Sequence, residues 1–384
     1  MLTKLKRIDW TIVTILVLFM IISTMLIYSA TVDNPRYASL NFQKKNLIYY
    51  GMGFFIFTVV TFVNYRLLLK LSWVMYGAGI VLLLGLYKFG TVRDGAIGWY
   101  ELGGLDFQPA EFMKIALILA VASFMARRAG NYLRLGADVV PIGLIVLVPF
   151  VLVFQQPDLG NAVIYLVILL GMFWIGNIRF SHVVIGTAVC AGFVALFLYL
   201  YTAYHIPIKT YLNEHEKGHW ATRIDTYLYP EQASRDERLQ LERSKIAIGS
   251  GSLWGDGYLQ GDSIHKNFIP VAYTDAIFVV VGEEFGFIGG SVLLMLFFTF
   301  LYRMILIALQ THDPRGSYII IGIVSMYVFQ IFENIGMWFG LLPVTGVTLP
   351  FISYGGTSLM INMVSIGLVM SILIHQEPEE ELEV

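Results

Sequence analysis

Cysteine is almost absent from this chain of 384 residues, because Cys190 is the only one. A single cysteine excludes an intramolecular disulfide, and it argues strongly against a structural metal site built from several thiolates. Cys190 stands in an apolar run, where we expect it to be a small buried or lipid-facing side chain.

Charged residues are also scarce. They make up 14% of the chain, whereas an ordinary soluble domain carries about 25%. The formal net charge is only -2, which gives no reason to expect a nucleic acid partner. In contrast, 57% of the residues are hydrophobic, and long apolar runs recur along most of the chain. This composition indicates an integral membrane protein rather than two or three soluble domains.

A membrane-spanning helix needs about 20 apolar residues. Ten segments of the sequence qualify, and they lie near residues 10–30, 46–64, 68–88, 108–127, 138–155, 159–177, 181–204, 275–302, 317–340 and 353–375. The first lacks a small-residue cleavage site, so we expect a retained span rather than a signal peptide. The predicted fold class is all-α: one polytopic transmembrane domain over residues 1–384, a helix bundle with about ten transmembrane helices.

An even number of spans places both termini on one side, and the Lys and Arg residues of the short loops indicate which side. Eleven of them fall on the side of the N-terminus: Lys4, Lys6, Arg7, Arg66, Lys70, Arg127, Arg128, Arg134, Arg179, Arg303 and Arg315. Five fall on the other side: Arg36, Lys44, Lys45, Lys88 and Arg93. The excess of Lys and Arg on the side of the N-terminus predicts that both termini are cytoplasmic. It also predicts an acidic cytoplasmic tail at about 376–384 and one long extracytoplasmic loop at about 205–273.

Ionisable side chains recur within or at the ends of the predicted spans. Glu111 and Lys114 are three residues apart, Asp158 follows a proline between two spans, and Asp275 stands where the long loop re-enters the membrane. Glu333 lies in the middle of a span. Because charge in a bilayer is costly, such residues are candidates for function. Apart from Glu333 they share a depth, which predicts an outward-facing polar cavity. The alternative for Glu111 and Lys114 is a neutralised pair that only holds helices together.

The segment IPVAYTDAIFVVVGEEFGFIGG, residues 269 to 290, carries three acids. On an unbroken helix, Asp275 and Glu283 would be separated by a rise of about 12 Å. The paired carboxylates of glycosidases are about 5 to 9.5 Å apart, so Asp275 is expected to act as a lone acid or base. For Glu283 and Glu284 we expect helix capping or polar packing.

The long loop contains two motifs that point to other chemistry only superficially. HEKGH, residues 215 to 219, matches a zinc protease pattern, but a glycine interrupts it and no third ligand follows closely. GSGSLWGDGYLQGD is rich in glycine, but it lacks the lysine that reaches a nucleotide phosphate. The stretch PEQASRDERLQLERSKIAIGSG predicts a charged amphipathic helix, which would lie on the membrane surface or serve as a solvated connector.

Several segments together resemble the SEDS family (shape, elongation, division and sporulation proteins). The matching segments run in family order and are GAIGWYELGGLDFQPAEFMK, QQPDLGNA, RSKIAIGSGSLWGDG, IPVAYTDAIFVVVGEEFGFIGG and NIGMWFGLLPVTGVTLPFISYGGTSL. The NIGM run and the compact length are most similar to the RodA branch. The resemblance implies a peptidoglycan glycosyltransferase that polymerises lipid II with inversion, serving cell-wall elongation and cell shape at the bacterial inner membrane.

The resemblance also implies roles for individual residues. The essential acid of the family falls on Asp275, which is expected to be the general base. Residues expected to contact substrate are Trp99, Glu111, Lys114, Asp158 and Arg223. The resemblance also implies a divalent cation, Mg²⁺ or Mn²⁺, but the sequence does not show which residues would bind it. The implied partners are lipid II, a class B penicillin-binding protein, other elongation proteins and membrane lipids.

The chain departs from the family pattern at some positions. Gly98 replaces an arginine before the loop tryptophan, and Ala110 replaces a serine before Glu111. These departures concern contacts with substrate rather than the catalytic acid. Two other functions remain compatible with the residues: a flippase that moves lipid II across the bilayer, and a scaffold that only activates a penicillin-binding protein.

Overall fold

The protein is described here from a computed structural model, which covers residues 6–34, 37–93, 96–102, 105–128, 130–214, 225, 235–266 and 268–376. Its principal elements are α1 Trp10–Val32, α2 Phe42–Phe62, α3 Tyr65–Lys70, α4 Ser72–Phe89, β1 Thr91–Arg93, β2 Ala96–Leu102, β3 Leu105–Phe107, α5 Pro109–Met125, α6 Val140–Gln155, α7 Leu159–Ile175, α8 Phe180–Ala203, α9 His205–Glu214, α10 Arg235–Ser250, α11 Asp262–His265, α12 Ile277–Gln310, α13 Pro314–Phe339 and α14 Gly356–Ile374. Short 3₁₀ segments cover Ala38–Leu40 and Ala126–Arg128, and a π turn at Leu135–Val139 leads into α6.

The polytopic helical membrane fold is confirmed. Among the described residues, nine helical segments are long and apolar enough to cross a bilayer, and the 17-residue α7 is a shorter apolar helix. Every predicted span thus coincides with a helix, although the number that cross the bilayer stays a prediction. Large apolar side chains on the outer helices are exposed, among them Phe55 (72%), Phe193 (72%) and Met295 (63%). Water would penalise this much exposed apolar surface, whereas lipid chains accommodate it.

The bundle is built around α5, whose side chains from Met113 to Ala122 are almost entirely buried. Helices α4, α6, α7, α13 and α14 all pack against it. Pro109 occupies the first turn of α5, where its missing N–H costs no helical hydrogen bond. The central helix therefore carries the charged residues of its sequence, Glu111 and Lys114, into the interior of the protein.

The connection between α4 and α5 contains a small sheet that the sequence analysis did not predict. Strands β1, β2 and β3 are antiparallel in the order β1-β2-β3, with Tyr100 opposite Phe107 and Val92 opposite Ile97. The hydroxyl of Thr357, at the start of α14, donates to the Asp106 carbonyl and fastens the sheet to the bundle. The strands are short, so their alternating pattern is hard to separate from that of a loop.

Both ends of the described chain lie at one end of the bundle. Arg7 donates to the Gln376 carbonyl at 2.7 Å, and the Gln376 amide donates to the Thr311 hydroxyl at 3.0 Å. We call the end of the bundle marked by Arg7, Thr311 and Gln376 the terminal face. The arrangement agrees with an even number of spans, whereas the cytoplasmic orientation of this face stays a prediction, as does the single-domain boundary.

Asp313 joins α3 to α13 at the terminal face. Its carboxylate accepts hydrogen bonds from the Arg315 backbone N–H (3.0 Å), the Arg315 Nε (2.8 Å) and the Tyr65 hydroxyl (2.8 Å). Burial raises the pKa of Asp313, but these hydrogen bonds and the charge of Arg315 outweigh burial and hold the pKa below its ordinary value. The ionised form is therefore favoured by folding.

We expect acid to weaken this junction. The pKa of Asp313 is depressed in the folded protein. Its contribution to the free energy of unfolding is therefore complete above the ordinary aspartate pKa of about 3.9, and it disappears as the pH falls through the pKa of the folded state. The Asp313→Asn variant should be less stable than wild type at neutral pH, and the difference should shrink in acid. Melting temperatures of both proteins in detergent across that range test this, and a constant difference would contradict it.

Helix α12 changes direction at Gly286, whose backbone is at φ 62° and ψ −159°. A loop over residues 251–257 packs against this point: the Asp256 and Gly257 N–H groups donate to the carbonyls of Glu283 and Glu284. A Cβ atom on Gly286 would lie 2.4 Å from the Gly255 nitrogen. Both the backbone conformation and the close approach thus require glycine.

Backbone strain alone should lower the free energy of unfolding of the Gly286→Ala variant by roughly 1–3 kcal/mol, and the steric clash should lower it further. Gly290→Ala in the same helix is the matched control, because a Cβ there meets the Phe278 ring at an ordinary 3.5 Å. We expect the melting temperature in detergent to fall markedly for the first variant and little for the second. Equal losses would contradict the strained geometry at Gly286.

The predicted charged helix of the long loop is present as α10, which ends close to the expected Gly249. It packs against α12 and α13 of the bundle. Ala247 is fully buried, and Ile248 lies against Gly282 of α12. α10 is therefore part of the folded bundle rather than a freely solvated connector. HEKGH, residues 215 to 219, and most of the acidic tail lie outside the described residues, as does the side chain of Cys190.

Candidate functional site

The ion pair predicted inside the membrane is formed. The Lys114 ammonium nitrogen lies 2.7 Å from Glu111 Oε1 within α5, and neither side chain is more than 5% exposed. The second oxygen of Glu111 has no hydrogen-bond partner within the described part of the chain. A buried pair of this kind stays charged only because its members are held together, so removing one member leaves an uncompensated charge.

Asp158 lies close by, at the start of α7. Its Oδ1 accepts from the Asn161 backbone N–H at 3.1 Å, which caps the helix. Its Oδ2 accepts from Asn161 Nδ2 at 2.8 Å and from Gln108 Nε2 at 3.2 Å. Because Gln108 immediately precedes α5, these bonds fix the start of α7 against the start of the helix that carries Glu111.

Glu333 of α13 completes the group of buried charges. It is 3% exposed, accepts a hydrogen bond from the Thr345 hydroxyl at 2.9 Å, and lies within electrostatic range of Lys114 and Asp158. A Cβ atom on Gly160 would approach Glu333 Oε1 to 2.9 Å, so the small residue after Asp158 admits the carboxylate. Three of these four side chains are buried and Asp158 is half-buried, and we call Glu111, Lys114, Asp158 and Glu333 the buried charge cluster.

Asp275 is attached to the same helix, α13, by its backbone. The Asp275 carbonyl accepts from Asn334 Nδ2 at 2.7 Å and from Trp338 Nε1 at 2.8 Å. Its carboxylate Oδ1 accepts from the Thr274 hydroxyl at 3.0 Å, and the residue is half-buried. Two side chains of α13 thus hold the main chain of Asp275 in place through its carbonyl oxygen.

Asp275 and Glu283 do not share an unbroken helix, because α12 begins only at Ile277. The Glu283 carboxylate instead accepts from the backbone N–H groups of Ser263 (2.7 Å) and Ile264 (3.2 Å), which caps α11. This agrees with the capping role expected for Glu283.

Glu284 links the loop to the first helix. It accepts a hydrogen bond from Ser29 of α1, and His265 Nε2 lies 3.4 Å from Glu284 Oε1. His265 Nδ1 is also 2.7 Å from Asp33, just beyond α1. Glu284 is therefore part of a polar contact that ties the end of the long loop to α1, consistent with polar packing.

Trp99 lies in β2, in the connection that leads into α5. A Cβ atom on its neighbour Gly98 would lie 4.0 Å from Gln108 Nε2, the atom that donates to Asp158. The Trp99 carbonyl accepts from the Thr91 hydroxyl at 3.1 Å, so the strand is held from β1. The structure therefore brings the Trp99 strand to the same end of the bundle as Asp158.

Arg223 lies outside the described residues, but a residue close to it is firmly anchored. Asp225 accepts from the Tyr201 hydroxyl at 2.6 Å and from Lys209 Nζ at 2.8 Å, and His205 lies 2.8 Å away. Burial raises the pKa of Asp225, but the hydrogen bonds from Lys209, Tyr201 and His205 bring it below its ordinary value. These contacts fix one point of the loop against α8 and α9.

Sequence reasoning missed the side chains that position Asp275. Asn334 and Trp338 belong to a segment noted only for its family resemblance. Thr345, which donates to Glu333, belongs to the same segment. The spacing of Asn334 and Trp338 carries a signal, because residues four apart share one face of a helix. What the spacing does not reveal is the partner, which is a backbone carbonyl 59 residues earlier in the chain.

The predicted divalent cation finds no ready-made site in the part of the chain that the structure describes. No three His, Cys, Asp or Glu side chains are grouped there so as to hold a metal ion. Within the described residues, Glu111 and Glu333 each keep one unpartnered oxygen, and the other Glu111 oxygen is paired with Lys114. We therefore derive no step through a metal, and the cation stays a prediction.

Comparison with known sequences gives matches along the whole chain. A family described as cell cycle protein, FtsW/RodA/SpoVE, matches residues 5–378. Stage V sporulation protein E of Bacillus subtilis is 35% identical and aligns over 97% of this chain and 98% of its own. Peptidoglycan glycosyltransferase MrdB of Escherichia coli is 33% identical over 97% and 95% of the two chains.

Solved structures show the same architecture. A chain from a peptidoglycan synthase complex, described as coordinating polymerization and crosslinking, aligns with a TM-score of 0.77 and 26% identity, over 97% of this chain and 99% of the other. Thermus thermophilus rod shape determining protein RodA aligns with a TM-score of 0.69 and 25% identity, over 97% and 98%. The helical arrangement around α5 and α13 is thus shared with these proteins.

Proposed function

Because this chain belongs to the FtsW/RodA/SpoVE family of SEDS proteins, we propose that it is a peptidoglycan glycosyltransferase that polymerises lipid II into glycan strands. Relatives aligned over almost the whole chain carry that activity in their names. The observation that carries the proposal is the fixed main chain of Asp275. Two side chains of α13, the helix that also carries Glu333 of the buried charge cluster, donate to its carbonyl oxygen and hold this half-buried acid just before α12.

The proposed reaction is glycosyl transfer with inversion. A sugar 4-hydroxyl oxygen forms a bond to the anomeric carbon of a second chain, and the bond from that carbon to the diphosphate oxygen breaks. The hydroxyl proton passes to the Asp275 carboxylate, and the polyprenyl diphosphate leaves with the bonding electron pair. A general base of this kind contributes about 10²–10⁴-fold to the rate.

The structure supports Asp275 as the base because the residue is positioned through its backbone. The bonds from Asn334 and Trp338 go to the carbonyl oxygen, and the Thr274 hydroxyl donates to Oδ1. A base must be held rigidly within reach of the hydroxyl whose proton it takes. The fixed main chain and the half-buried position just before α12 supply that rigid support.

The leaving diphosphate needs positive charge. Lys114 is fully buried and already paired with Glu111, so we assign the pair a supporting role behind the groups that face the substrate. Arg223 is the proposed direct contact, on the basis of the family resemblance. Trp99 and Asp158 are proposed to line the path of the sugars at the same end of the bundle.

We also propose a partner protein and a membrane orientation for this chain. A related solved chain belongs to a complex described as coordinating polymerization and crosslinking, which supports a class B penicillin-binding protein as the partner that crosslinks the strands. We propose that the terminal face is cytoplasmic, on the basis of its excess of Lys and Arg. The proposed role is cell-wall elongation and cell shape at the bacterial inner membrane.

The test uses purified protein in detergent with lipid II and Mg²⁺, with and without a class B penicillin-binding protein. Size-resolved products should form a glycan ladder. A flippase would give no ladder in detergent but would move lipid II across sealed vesicles, and that pair of results would replace the proposed polymerase with a transporter.

We expect Trp338→Phe to slow polymerisation about tenfold. The variant loses the Nε1–H bond to the Asp275 carbonyl, and one hydrogen bond contributes about 0.5–1.5 kcal/mol. Asn334 still donates, so the loss is partial. The matched control is Trp254→Phe, because Trp254 is 75% exposed. Rates and melting temperatures of both variants test this; an unchanged rate in a stable Trp338→Phe protein would contradict the positioning role.

A further inference from the structure

A cavity of about 480 Å³ opens at the terminal face, on the opposite side of the bundle from Asp275. Its lining residues are Asn64, Arg66, Leu67, Leu69, Lys70, Ser123, Ala126 and Arg315. They come from α3 and its N-cap, from the end of α5 and from the start of α13. We call this cavity the basic pocket.

Positive charge dominates the basic pocket. Three cationic side chains line it, those of Arg66, Lys70 and Arg315. The Asp313 carboxylate lies 2.8 Å from Arg315 and 3.7 Å from Arg66. Within the described residues, the three cationic side chains of the lining thus outnumber the carboxylate beside them. Lys70 is exposed and has no carboxylate within salt-bridge distance in the described parts of the chain.

The pocket also offers neutral hydrogen-bonding groups. Ser123 contributes a hydroxyl and Asn64 a side-chain amide to the lining. Guanidinium, ammonium, hydroxyl and amide groups together are the set that binds phosphate oxygens in proteins. The chemistry therefore fits a phosphate ester.

Apolar surface adjoins these charged groups. Leu67 lines the pocket and is 52% exposed, and Trp73 and Val74 are exposed at the start of α4, six and seven residues further along the chain. In a membrane-embedded bundle such side chains face the acyl chains, and tryptophan favours the boundary between lipid and water. A soluble anion would gain nothing from this surface, whereas a phospholipid would use both parts.

We propose that the basic pocket binds the headgroup of an anionic phospholipid, with the acyl chains lying over Leu67, Trp73 and Val74. Basic pockets between transmembrane helices take anionic lipid headgroups by this combination of charge and depth. The site is independent of the proposed polymerase activity, because it lies at the other end of the bundle.

The test is native mass spectrometry of the purified full chain, titrated with dioleoyl phosphatidylglycerol or with dioleoyl phosphatidylcholine. The two lipids share their tails and differ in headgroup charge. We expect wild type to bind the anionic lipid at least about tenfold more tightly. In Lys70→Gln that preference should fall about fivefold, the factor that corresponds to about 1 kcal/mol for one basic side chain at the lipid surface.

Lys88→Gln is the matched control, because Lys88 is exposed at the other end of α4 and makes the same change in net charge. It should keep the full preference for the anionic lipid, and both variants should keep the wild-type melting temperature. Equal binding of the two lipids by wild type, or equal losses in the two variants, would overturn the proposal. If inorganic phosphate bound to wild type and not to Lys70→Gln, without a preference between the lipids, the pocket would be a site for free anions instead.

Discussion

Replacement of Asp275 by asparagine should reduce polymerisation of lipid II by at least about 10²-fold while leaving the protein folded. The loss follows from removing a general base, which contributes about 10²–10⁴-fold. The fold should survive because the bonds from Asn334 and Trp338 go to the Asp275 backbone carbonyl, which asparagine retains. The measurement is the initial rate of glycan formation, together with the melting temperature in the same detergent.

The matched control for this change is Asp262→Asn. Asp262 belongs to the same loop, but its side chain is 79% exposed and pairs with Lys266 on the surface. We expect it to polymerise at the wild-type rate. A glycan ladder of normal length from folded Asp275→Asn protein would refute the base assignment and turn attention to Glu111 or Asp158 in the buried charge cluster.

Replacement of Lys114 by methionine should destabilise the protein by about 3–5 kcal/mol, because it leaves Glu111 charged and unpaired in the core. The double variant Glu111→Gln with Lys114→Met should regain much of that stability, since residue 111 no longer carries a charge without a partner. We nevertheless expect the double variant to polymerise about 10²-fold more slowly, the loss that follows from removing one electrostatic group of an active site.

The double variant decides between the two roles of the pair. If the pair only holds helices together, the double variant will be stable and fully active. If it supports the substrate site, the double variant will be stable and slow. Lys266→Met is the matched control, because the exposed Asp262–Lys266 pair is expected to contribute only about 0–1 kcal/mol. If Lys266→Met lost as much stability as Lys114→Met, burial of the Glu111–Lys114 pair would not be the cause of the loss in Lys114→Met.

The sequence by itself determined the class of this protein. Apolar runs of membrane-spanning length are a local property, so each of the ten predicted spans coincides with a helix. The matching segments also identify the family, because they are a property of the sequence and not of the tertiary structure. The pairing of Glu111 with Lys114 was predictable for the same reason, since both residues belong to one helix and are three positions apart.

Tertiary structure alone decided which distant residues meet. Glu333 comes within range of Lys114 only because α13 packs against α5, and Gly160 provides the space between α7 and α13. The carbonyl of Asp275 is held by side chains about 60 residues away, and the basic pocket gathers residues from three separated segments. Helical periodicity fixes which face of a helix is apolar, but it contains no information on which helix will cover that face. Close packing among many helices makes that choice, and the site follows from it.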